Sequence, residues 1–106
     1  MVWIILFLAG MFEIAFAIGL KYTDGFTKLW PSVFTTISMI ISVLLLSMAL
    51  RNMPIGTAYS VWTGIGTIGT VVFGIVFFSE PANMLRIIFI VMIIVGIVGL
   101  KFAAGD

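Results

Sequence analysis

Four long apolar runs, parted only by brief charged or proline-containing links, leave this chain little choice of environment. The runs occupy residues 2–20, 30–50, 55–78 and 85–102, and the links read "KYTDGFTK", "RNMP" and "SEPAN". Each run is long enough to cross the ~30 Å hydrocarbon core of a bilayer as a helix. With 63% hydrophobic and 8% charged residues, the chain lacks the polar surface that a soluble domain of its size requires. In lipid, backbone polar groups must be satisfied within the segment, so the runs are predicted as helices, and the short links make neighbours antiparallel. The first run lacks a basic leader and is followed by three more spans, so it reads as a membrane span and not as a signal peptide. The expectation is an all-α membrane protein, with residues 1–106 forming one four-helix transmembrane domain.

Composition removes several kinds of function. Without Cys, thiolate metal sites and disulfides are impossible; without His, the commonest metal ligand and the usual neutral-pH acid/base group are missing. No metal, cofactor or catalytic residue is therefore expected, nor enzyme activity. A net charge of +1 with no basic run speaks against nucleic acid. The five Lys and Arg residues divide almost evenly: Arg51 and Lys101 on one face, Lys21, Lys28 and Arg86 on the other. Since the Lys/Arg bias normally sets topology, either another feature fixes the orientation or the chain inserts both ways and pairs with its inverted twin. Four short helices barely enclose a cavity, and transporters commonly build a midplane site between inverted repeats, of which this chain has room for one.

Within "MFEIAFAIGLK" stands Glu13, the one acid inside any span and with no basic residue at its depth to pair with. A charge near the midplane costs ~2.5–3.5 kcal/mol on insertion scales, so such residues face a protein interior or a watery cavity and act there. Its same-face neighbours are Ala9, Gly10, Phe16 and Ala17, three of them small enough to let another helix approach. The alternative is a protonated Glu that only holds helices together.

The second run carries Thr35, Ser38 and Ser42 on one stripe. Hydroxyls at such depths often bond back to their own helix, the expected fate of Thr35, whereas Ser42 lies deepest. In the third, "GTAYSVWTGIGTIGT", Tyr59 and Trp62 share a face, and the deeper Trp62 brings an N–H that wants a partner. Gly64, Gly66 and Gly69 follow, and Gly64 with Gly66 is a candidate hinge, tight packing being the alternative. The fourth run is apolar all round, with Gly96 and Gly99 as a small-residue face suited to oligomer packing.

The stretches "FEIAFAIGLKYTDGFTKLWPS" and "PIGTAYSVWTGIG", together with four short spans, resemble the small multidrug resistance family from end to end. "GMFE", "LKY" and "GTAYSVWTGIG" look most like its guanidinium-exporter subtype. The resemblance implies an antiparallel, dual-topology homodimer in the bacterial inner membrane that exports a small organic cation in exchange for protons. Glu13 of both subunits would bind proton or cation in turn, with Ser42, Tyr59 and Trp62 at positions that line the pocket and Phe16 and Gly10 beside it. The subtype usually has Trp one turn after the central Glu, where this chain has Phe16. Phe keeps the aromatic face and loses the N–H donor, so a broader exporter of quaternary ammonium and other hydrophobic cations is the alternative. A cation channel is the rival from another class. Channels need a ring of charges or carbonyls and a path open at both ends, which one buried acid among aromatics suits less well. A non-transporting assembly subunit would leave Glu13 without a role.

Overall fold

A computed structural model describes residues 1–103; the last three residues of the expected 1–106 domain lie outside the described residues. The apolar runs are four helices: α1 (Val2–Tyr22), α2 (Leu29–Ala49), α3 (Ile55–Phe77) and α4 (Met84–Ala103). All four are long and apolar enough to cross a membrane. The first continues past the apolar stretch through Lys21 and Tyr22, and the Lys21 ammonium lies over the face of Phe78, 4.9 Å from its ring centroid. Lys at a span's edge is tolerated when its head reaches such a partner.

The links are built from their own chemistry. Thr23, almost fully buried, donates its hydroxyl to Leu20 O at 2.8 Å and accepts the Phe26 N–H at 3.2 Å. That pins a turn in which Asp24, Gly25 and Phe26 take positive φ. Pro31 falls in the first turn of α2, where its missing N–H costs nothing, and Pro54 stands at the N-cap of α3. Asn83 Oδ1 accepts the Arg86 N–H at 3.0 Å and caps the start of α4.

In the slab the helices make, α1 lies between α2 and α3, while α4 leans on α3. At the far end Lys101 reaches the Trp3 ring, 5.5 Å from its centroid. The principal extents are 43 × 35 × 17 Å, so the molecule is barely two helices thick in its narrow direction. The buried apolar core (Leu6, Ala9, Leu46, Ala49, Met53, Ala58, Val61) sits toward one end of the slab, where the start of α1 meets the end of α2 and the start of α3. No residue of α4 is buried. Small residues let the backbones meet: Gly10 faces Ile65 and Gly69 faces Ile14 across the α1–α3 seam.

Candidate functional site

The midpoint of α1 is residue 12, which places Glu13 within about 1.5 Å of the helix centre. Its side chain is half-buried, and among the described residues no donor meets Oε1, which is sealed from solvent. The third helix makes room for it. A Cβ at Gly66 would overlap the Glu13 carboxylate, so only glycine at that position lets α3 lie against the acid. Beside the carboxylate opens a depression of about 260 Å³, lined by Glu13, Thr63, Gly66, Thr67, Thr70 and Val71. Thr67 donates its hydroxyl back to Thr63 O at 2.8 Å, the usual fate of a hydroxyl within a membrane helix. Thr70 Oγ1 does not: it is buried and has no partner among the described residues. A carboxylate and an uncommitted hydroxyl thus border one cavity, an arrangement that favours a cation with N–H groups to give.

Ser42, Tyr59 and Trp62 come together one turn away. Trp62 Nε1 donates to Ser42 Oγ at 2.9 Å, and Ser42 donates to Ala9 O at 2.6 Å. Ala9 is one helical turn before Glu13, so this relay ties α3 and α2 to the stretch of α1 that carries the acid. The Tyr59 ring tilts against Trp62 at 5.4 Å between centroids, with its own surface mostly exposed. Ser42 therefore bonds across helices and not back to its own. Thr35 also departs from the sequence expectation: its buried hydroxyl, pressed against Gly19, finds no partner among the described residues.

The remaining candidates divide. Gly10 packs against Ile65 and does not line the cavity; half-buried Phe16 does not line it either. The third helix runs unbroken through Gly64 and Gly66, the first lying under Ile97 of α4 and the second under Glu13. Gly96 and Gly99 are exposed, with nothing among the described residues within 4 Å of where a Cβ would stand. Thr63, Thr67, Thr70 and Val71 were absent from the sequence reading. Their spacing of four, three and one marks a single face of α3, a pattern available in the sequence but masked by the more conspicuous Tyr, Trp and Gly residues.

Four membrane-length helices around one midplane acid define a multi-pass helical membrane protein with an intramembrane ionisable site. Residues 1–93 match the Small Multidrug Resistance protein family. The chain belongs to that family. It is 55% identical over 104 residues to a protein of Proteus vulgaris named guanidinium exporter, covering 98% of this chain and all of that one. Proteins of the same name from Escherichia coli K12 and Yersinia pseudotuberculosis are 50% and 51% identical, over 97% and 98% of this chain and 98% and 100% of theirs.

Proposed function

We propose that this chain exports guanidinium and small substituted guanidinium cations in exchange for protons, working as an antiparallel homodimer inserted in both orientations. The observation that carries the reading is the half-buried Glu13 carboxylate at mid-helix, set against Gly66, with no donor on Oε1 among the described residues. A carboxylate left without a protein donor attracts a planar guanidinium, whose N–H groups give charge-assisted hydrogen bonds. Proton and cation compete for the same oxygens, so loading one releases the other; in the dimer one cation displaces the protons of two Glu13 carboxylates, so each exchange couples the two fluxes and moves one net charge.

Several features support the dimer. The slab is too thin to enclose Glu13, whose cavity is an open depression, and a second copy would supply the missing wall. The near-even split of Lys and Arg suits insertion both ways. The exposed Gly96 and Gly99 on α4 offer a close-packing face for that partner. In this reading Ser42 and Trp62 hold the pocket wall, Tyr59 and Phe16 complete it across the dimer, Gly10 lets α3 close on α1 through Ile65, and Gly64 with Gly66 is where α3 flexes between access states.

Purified protein in planar or vesicle bilayers tests this. A guanidinium gradient should drive current that reverses with an opposing pH gradient and exceeds the current given by tetraalkylammonium ions. Guanidinium flux indifferent to the pH gradient would overturn the coupling.

A further inference from the structure

The depression at Glu13 is not the end of the α1–α3 seam. A second crevice of about 120 Å³ lies further along it, and the two share Thr70 and Val71 as walls. This crevice runs past Gly74 to Lys21, Phe78 and Glu80 at the end of the helices. Lys21 is eight residues from Glu13, so the two lie about 12 Å apart along α1. Thr70, whose hydroxyl has no partner among the described residues, stands at the junction.

The outer crevice is furnished for a cation. Phe78 presents a ring face, steadied by Tyr22 and Phe73, each with its ring centroid 5.8 Å away. The Glu80 carboxylate folds back onto α3 at Gly74, where any side chain would collide with it, and the Glu80 N–H donates to Gly74 O at 3.2 Å. Arg86 holds the same carboxylate from outside at 3.3 Å. An aromatic face together with a carboxylate recognises an organic cation without demanding a particular shape. A cation already stands there: the Lys21 ammonium, 4.9 Å from the Phe78 centroid.

We propose that this crevice is an outer station for the exported cation, in which Lys21 occupies the aromatic face until a mobile cation displaces it on the way to or from Glu13. The proposal rests on the transport reading above and adds to it a second site. Phe78 and Glu80 are its binding groups, Lys21 its tethered competitor, and Thr70 the hydroxyl between the two sites.

The chain has no cysteine, so a single introduced thiol reports on one place. In Lys21→Cys, reconstituted in vesicles, the thiol should react about threefold or more faster with ethylammonium methanethiosulfonate than with a neutral methanethiosulfonate, each rate referred to a free thiol. Millimolar guanidinium chloride at constant ionic strength should slow that labelling at least twofold. Thr70→Cys gives a second labelling position where protection is also expected. Both are repeated with Glu13→Gln. Protection that survives there belongs to the outer station, whereas coupled current that survives there overturns the transport reading alone. In transport, Lys21→Gln should lower the half-saturating guanidinium concentration about threefold and Glu80→Gln should raise it about threefold. A Lys21 that merely packs would give no charge preference in labelling, no protection, and shifts of the same sign in both variants; those results would overturn the station.

Discussion

Trp62 and Ser42 are joined by a 2.9 Å hydrogen bond from the indole nitrogen to the serine oxygen, and the Ser42 hydroxyl in turn donates to Ala9 O. This relay joins three helices one turn from Glu13. In Ser42→Ala the indole loses its acceptor and Ala9 O loses a donor. Hydrogen bonds between membrane helices are worth about 0.6 kcal/mol on average and up to about 1.7, and here two go together. A fall in stability of about 1–2 kcal/mol is expected in detergent melts, with a red-shifted, broadened Trp62 emission in a variant whose other two Trp are Phe. Unchanged emission would show that the relay does not hold the ring.

The four helices and the central acid were legible because bilayer physics leaves few options. Apolar runs of that length must be helices, and the depth of Glu13 follows from counting along α1. The polar tip of Trp62 announced a need for a partner, and Ser42 supplies it. What was not legible is which helix faces the acid. That depends on Gly66 admitting the carboxylate, and in the sequence Gly66 looked the same as Gly64, which instead lies under Ile97. The threonine face of α3 was likewise silent until α1 lay against it. The seam at Lys21 escaped notice because the lysine read as the close of the first span, whereas it lies inside α1 with its ammonium on Phe78.

Gly66→Ala tests the contact that positions the acid. The new methyl would occupy the carboxylate's place, and overpacking of this kind costs about 1–3 kcal/mol. Guanidinium affinity should fall at least tenfold by calorimetry, with circular dichroism unchanged. An affinity equal to that of the parent chain would mean that the carboxylate is held by something other than its fit against α3.

Gly96 and Gly99 carry the opposite expectation, since no described residue of the chain has an atom within 4 Å of where a Cβ would stand at either position. The double variant Gly96→Leu, Gly99→Leu should keep its helicity while the dimer fraction in light scattering falls several-fold. A dimer that persists undiminished would move the interface away from this face of α4.

Phe16 stands where the resemblance to guanidinium exporters implies a Trp. A ring face attracts cations without asking for N–H groups in return, so quaternary ammonium ions suffer least from the missing indole donor. The parent chain should carry some hydrophobic cations alongside guanidinium, and Phe16→Trp should shift the ratio of their currents toward guanidinium by about threefold or more. A ratio unmoved by the substitution would reduce Phe16 to packing.

In the proposed exchange proton and cation share the Glu13 carboxylate, and bilayer current from Glu13→Gln probes that sharing most directly. The amide keeps the size of the side chain and its place against Gly66 but can neither ionise nor exchange a proton. With the variant folded and present in equal amount, guanidinium-driven, proton-coupled current should disappear. In the parent chain guanidinium affinity should fall as pH drops, because protons then occupy the carboxylate, and in the variant any residual binding should no longer vary with pH. Coupled current at the parent rate from Glu13→Gln would contradict the exchange of proton and cation on this carboxylate.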